Sequence, residues 1–595
     1  MKSYCKYYNY IKGIALIFVK SFIMKDYIFY LNFLLLLFIG CKNNTNSHDL
    51  ANRPLITCAL ITNDAEWYTS DNIAPLIDGL DVLDFPITTT NILAQKYVNQ
   101  GLVLAYGFNH AEAARSFFYA SKLDPKCAMA YWGFAYVLGP NYNAGMEPDN
   151  YQRAFNAVQK AVELSENSVS QKEKDLITAL AKRYVKVPVE DRSNLDLAYS
   201  NAMKEVYEEY TYDADVATLY AESIMDMHQW DLWDKKGNAK EWTPEIISII
   251  DNAINIDPKH PGAHHFNIHV LETSGSPEAA LKSAQLFDED LVPGAGHLVH
   301  MPSHIYIRTG DYHKGTLSNI RAISVDSSYV SACNAQGAYP LSYFPHNYHF
   351  MAATATLEGN SKWAIEAANN VADHSNTLLM KEPGWGTIQH YYTIPYYIYV
   401  KFGYWEEVLE MENEDTSLKY PEAVRNYARG MAFLGLNKID EAKKEFNSLE
   451  IYSEDDSLKE ITIWDINSVD VLLQIAKRVL KAEILASEFN YQDSIALLKE
   501  AVEIEDNLNY NEPPDWFFSV RHHLGAIQIE AALYDDAIGT YQEDLKRLPK
   551  NGWALHGLKL AYEKLGESTK VKDIEERLLV SWATADVQLT TSRIK

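Results

Sequence analysis

Two stretches of this 595-residue chain collect histidines at spacings that could do chemistry. In "HPGAHHFNIHVLE", His265 and His269 stand at i and i+4; in "PGAGHLVHMPSHIYIRTGDY", His297, His300 and His304 stand at i, i+3 and i+7. On a helix either spacing stacks imidazoles on one face. Two rings leaning in from neighbouring helices can grip one ion through metal–nitrogen bonds of about 2.0–2.1 Å. His265, His269, His300 and His304, with His297 or His349, would then ligate a transition metal, and imidazole suits zinc, copper, iron or nickel. The same rings, with Arg308, could instead cradle an anionic or hydroxyl-rich ligand such as a uronic oligosaccharide or a peptide carboxylate. A third reading makes them buried polar residues satisfied by backbone groups. Glu272 is the one obvious carboxylate beside them.

The elements that must position these rings are helical. "AQKYVNQGLVLAYGFNHAEAARSFFYASKLDPKC" carries Gly101, Ala113, Phe117, Ala120 and Pro125 at the offsets of a tetratricopeptide repeat, and "NGWALHGLKLAYEKLG" carries Trp553 and Gly557. Related units read between them, apolar residues recur with a period near 3.6, and no long alternating pattern appears. The resemblance to tetratricopeptide-repeat proteins covers roughly residues 90–575. It implies an all-α solenoid of helical hairpins, wound as a right-handed superhelix, with a groove lined by the first helix of each pair. "LGPNYNAGMEPDN" and "HQWDLWDKKGNAKEWTP" are too long for ordinary helix–helix turns and read as insertions.

Aligning the units on Gly275, Gly310, Gly359 and Gly403 starts four repeats near Pro261, Gly296, Pro345 and Gln389. His265, His300 and His349 then share the fifth place, His269 and His304 the ninth, and His297, His346 and His390 the second. The resemblance implies that these places face the groove, as do the twelfth and thirteenth, where Glu272, Arg308 and Lys401 fall. Eight of the 18 histidines thus converge on one surface. Packed helices lie about 8–10 Å apart, so a site would be shared between repeats.

Other residues carry weaker signals. Asn109, His110 and Glu112 sit at a turn, where asparagine commonly satisfies local backbone. His522 takes a fifth place far from the main group, and His523 reads as packing. Tyr392, Tyr396 and Tyr399 are at helical spacing and read as core or groove wall. Ser303 lies beside two histidines, but no acid-oriented base is legible. No phosphate loop, HExxH helix or G-x-S-x-G elbow occurs.

Composition narrows the partners. A formal charge of −27 argues against nucleic acid. The five cysteines form no CxxC pair. "MKDYIFYLNFLLLLFIGCKNNTNS" has a charged start, an apolar run and a small residue before Cys41, a signal-peptide layout whose "LFIGC" resembles a bacterial lipobox. The apolar run is shorter than the roughly 20 residues that span a bilayer. The expected organisation is a signal over 1–40 with the true start at Met24, a polar lead-in over 41–90, hairpins with insertions over 91–240, His-rich repeats over 241–410 and further repeats over 411–595.

The phrases "YGFNHAEAARSF", "AYWGFAYVLGPNYN", "HPGAHHFNIHVLE" and "PGAGHLVHMPSHIY" resemble a group of large bacterial tetratricopeptide-repeat proteins. That resemblance implies the fold and the linked histidine motifs, with no chemistry attached. The expectation is a lipoprotein held to the bilayer through acylated Cys41 at the cell envelope, on the outer membrane. It would bind a protein, peptide or glycan in the groove and assist polysaccharide or nutrient capture. The rival expectation is a transition-metal protein or metalloenzyme (zinc, copper or iron) built on the groove histidines.

Overall fold

The computed structural model describes residues 65–69, 71–166, 169–333, 339–413 and 415–594. Cys41, the signal segment and most of the polar lead-in lie outside the described residues. Two compact units are distinguished; the larger, Leu50–Leu409 with Asn413–Lys595, holds everything below, and of the smaller only Glu410–Glu412 is described.

The larger unit is all-α, a succession of antiparallel hairpins of the tetratricopeptide type. The paired helices include Ile92–Tyr106 with His110–Leu123, Phe344–Glu358 with Ser361–Asp373, and Gly552–Leu565 with Ser568–Ser581. Among the described residues the only sheet is the two-residue pairing of Thr462–Ile463 with Asn467–Ser468. First helices of the central repeats are the most deeply buried: in Gly386–Phe402 every residue from Ile388 to Phe402 is buried. Second helices are amphipathic, Ser361–Asp373 burying only Ser361, Ala364, Ala367, Ala368, Val371 and Ala372. That small-residue stripe at helical period lets the next pair approach.

Three of the four alignment glycines end first helices as expected. Gly310, Gly359 and Gly403 adopt the left-handed conformation at the C-caps, with φ of 77°, 79° and 74°, which glycine adopts without a Cβ penalty. Gly275 does not: its helix, Pro261–Glu272, closes at Thr273.

The open groove of the sequence reading is not what the chain builds. C-terminal hairpins turn back onto the turns of the central repeats. Tyr312 donates to the Pro549 carbonyl at 2.7 Å, Lys550 pairs with Asp311 at 3.1 Å, and Trp553 donates to the Thr356 carbonyl at 2.8 Å. A Cβ at Gly310 would stand 2.2 Å from the Pro549 oxygen. The physical reason is the aromatic load of the first helices, which is buried from solvent only when this face is covered.

Candidate metal centre

The histidines sit on three consecutive first helices: Pro261–Glu272, the interrupted pair Gly296–His300 and Pro302–Thr309, and Phe344–Glu358. Pro302 causes the interruption, having no N–H to bond the carbonyl of Leu298. A π-helical turn, Tyr339–Tyr343, leads into the third helix; such turns are frequent at functional sites. Gly262 lets the first of these helices press on Tyr106, whose ring would lie 2.8 Å from a Cβ there.

Six of the eight predicted rings form two trios, in place of one set of His265, His269, His300 and His304 with His297 or His349. In each of His265, His269, His297 and of His300, His304, His346, one ligand atom per ring lies within 4.8 Å of the others. A rule in the repeat register generates both: the fifth- and ninth-place rings of one repeat meet the second-place ring of the next. The third instance of that rule is incomplete. His349 and His390 face one another, ring centroids 5.6 Å apart, but the ninth place holds Ala353.

Partners fix which nitrogen each ring presents. His265 donates Nδ1–H to the Tyr106 carbonyl at 2.5 Å, and His269 donates Nδ1–H to Glu272 Oε1 at 2.7 Å. In the second trio His300 donates Nδ1–H to Asn319 Oδ1 at 2.7 Å, and His304 donates Nδ1–H to Glu272 Oε2 at 2.6 Å. All four therefore aim Nε2 inward, the arrangement by which outer hydrogen bonds set tautomer and ring orientation in metal sites. The inward Nε2 atoms of His265 and His269 have no partner, nor does either ring nitrogen of His297 or the Nδ1 of His346. Those of His300 and His304 meet each other at 2.9 Å.

Orphaned buried nitrogens in such number are unusual, because an unpaired buried polar group costs about 1–3 kcal/mol. The rings are sealed: His265 and His300 are 0% exposed, and His269, His297 and His304 no more than 3%. Only His346 is half-buried, at an edge shared with Tyr343 and Trp464. Burial pushes the pKa of His265, His297, His300 and His346 well below the ordinary histidine value, and neighbouring rings push it further. His269 is lowered too, by burial. Neutral imidazole is the form that ligates.

Each trio packs on one phenylalanine. Phe108, at a φ of 54°, lies with its centroid 4.6, 5.6 and 5.4 Å from His265, His269 and His297. Phe350 lies 4.8, 4.6 and 5.3 Å from His300, His304 and His346. Both loops read as insertions reach the first trio, Tyr142 and Trp230 packing 5.4 and 5.8 Å from His269.

Glu272 was expected as a helper beside the pair and proves to be shared by both trios, with a further hydrogen bond from Tyr510 at 3.3 Å. It is fully buried. Burial raises its carboxyl, but His304 and the two imidazole donors overcome that and hold it well below the usual carboxylate range. Its oxygens are taken by N–H groups, so it acts behind the rings.

Other expectations are displaced. Arg308 donates Nε–H to the Glu272 carbonyl at 3.0 Å and lies over Tyr510 rather than facing a groove. Lys401 is not near the trios: it donates to His522 Nδ1 at 3.0 Å over the Trp553 ring, and burial lowers it to about 7. His522 is completed by Asp544 at 3.1 Å and His523 by Glu483 at 2.6 Å. Asn109 caps its helix on the Glu112 N–H, and Ser303 Oγ donates to the His300 carbonyl at 2.8 Å. Tyr392, Tyr396 and Tyr399 are core. Phe108, Asn319, Phe350 and Tyr510 escape sequence reasoning; only Phe350, four residues after His346, carried a helical-spacing signal.

No protein-family model matches the chain, and no curated protein matches it. Among solved structures, a human IFIT1 dimer with m7Gppp-AAAA is 14% identical, covering 83% of this chain and 91% of its own, with a TM-score of 0.30. The APC/C hetero-tetramer Cut9–Hcn1 is 13% identical over 84% of this chain and 79% of its own, at 0.27. The P58(IPK) tetratricopeptide domain is 12% identical over 80% and 99%, at 0.20. At those scores the superpositions are loose, and the fold assignment stands on the helices themselves.

Proposed function

We propose that this chain is a transition-metal-binding tetratricopeptide protein holding two ions, one in each histidine trio. The observation that carries the reading is the pair of three-imidazole sets, generated by one register rule, in which the inward nitrogens of the first lack protein partners and two of the second meet only each other. Three nitrogen ligands leave a tetrahedral ion one open position, the layout of catalytic and carrier sites. Glycan or peptide capture fits less well, because such ligands need an open cleft and these rings are covered. The proposal keeps the chain lipid-anchored at the bacterial envelope through Cys41, on the strength of "LFIGC".

Elemental analysis of protein purified without chelator tests the reading. Two equivalents of zinc, copper or iron per chain are expected, with the first trio's ion lost in His265→Ala and the second's in His300→Ala. Metal-free protein that takes up none of these ions on dialysis would sink it. For the anchor, Cys41→Ala is expected to move the protein from the membrane to the soluble fraction.

A further inference from the structure

We infer that the two trios form one dinuclear copper centre that binds dioxygen between the ions; this rests on the metal-binding reading above. Within the trios the ring centroids are 4.7 to 6.4 Å apart. Across the seam His269 and His304 are 5.6 Å apart, and His297 and His300 5.8 Å. Rings of different trios are therefore as close as rings of the same one. The six make a single cluster, so ions bound by its two halves would be neighbours.

Charge selects the metal. All six candidate ligands are imidazoles, which ligate in the neutral form, and Glu272 is the single carboxylate bonded to them among the described residues. Two dications here would leave a net charge of three buried in aromatic surroundings, which a dry interior opposes strongly. Two cuprous ions leave a net charge of one. Imidazole accepts copper readily.

Burial and charge together select the ligand. Among the described residues His346 is the one ring of the six that is half-buried, beside Trp464, so the incoming molecule must be small. Dioxygen is small and uncharged. On binding, each cuprous ion gives up one electron and becomes cupric. The oxygen molecule accepts both, its O=O bond falls to a single bond, and the resulting peroxide bridges the two ions. No proton moves, and the total charge of ions plus oxygen is two before and after. A step that leaves net charge unchanged is the kind a buried, aromatic-lined site can support, and its reversal releases dioxygen.

The experiment loads the full chain with two equivalents of cuprous ion under argon and then admits oxygen. Uptake of one dioxygen per two coppers is expected, with an intense near-ultraviolet charge-transfer band, no copper EPR signal, and bleaching when the gas is purged. His346→Gln, at the half-buried edge, is expected to hold one copper and take up no oxygen. Failure to bind copper or any other transition ion would overturn the metal-binding reading itself. Two bound coppers that show independent, full-intensity cupric EPR and no one-per-two uptake would overturn this inference alone. Two zinc ions that exclude copper would do the same.

Discussion

The Nε2 atoms of His300 and His304 lie 2.9 Å apart, in direct contact across the second trio. Each ring already spends its Nδ1–H elsewhere, on Asn319 and on Glu272. The two Nε2 lone pairs therefore face one another, an opposition that an ion between them relieves. Loading that trio in weakly buffered solution is expected to take up metal without releasing a proton, since the ligating nitrogens are already unprotonated. His300→Gln should abolish uptake at this trio. A pH-stat trace showing about one proton released per ion bound would overturn this arrangement.

The register rule predicts a third site by substitution. His349 and His390 are in place, and Ala353 occupies the ninth position between them. Ala353→His is expected to raise the bound metal from two ions per chain to three. Overpacking a buried alanine costs about 1–3 kcal/mol, so circular dichroism should accompany the elemental analysis. A folded variant still holding two ions would show that the rule is coincidence.

Asp326 gives a pH dependence with a definite sign. It accepts hydrogen bonds from Tyr339 at 2.8 Å and Asn347 at 2.7 Å, and burial pushes its carboxyl up to about 7. The unfolded chain releases that proton near the ordinary value of 3.8. The native state thus holds the extra proton between those values. Asp326's contribution to stability is full below about pH 4 and is lost as pH rises to about 7. Denaturant melts of wild type and Asp326→Asn should diverge across that window by roughly 2–4 kcal/mol, the wild type losing relative stability toward neutral pH. Parallel curves would refute the assignment.

Gly310 tests the folding-back of the C-terminal hairpins. Any Cβ there meets both a left-handed backbone and the Pro549 carbonyl. Gly310→Ala is expected to cost about 1–3 kcal/mol and to speed exchange of the buried metal, read by chelator-competition kinetics. An unchanged melting point would mean that the contact is dispensable.

Much of this was legible in the sequence. Helix period, the Trp553–Gly557 spacing and the capping glycines specify stacked hairpins, because those signals act within one repeat. The fifth, ninth and second places were legible for the same reason. The partition into two trios plus an incomplete third was not, since it depends on how far each helix rotates against the next. Phe108 and Phe350 were hidden because phenylalanine in a helical array is ordinarily core. Lys401 faces no open groove, because Trp553 and His522 arrive from more than a hundred residues away to cover it, a contact no local spacing encodes. Gly275 is no cap because it stands three residues past the end of its helix, which closes at Thr273.

Because each trio borrows its last ring from the following repeat, an occupied centre is a rivet through two hairpin junctions at once. Stretched from its ends, the loaded solenoid should shed its outer hairpins first and resist as one block from Pro261 to Glu358. Stripped of ions, the same block should peel apart hairpin by hairpin. Mechanical toughness in this stretch would then report metal supply rather than hydrocarbon packing alone.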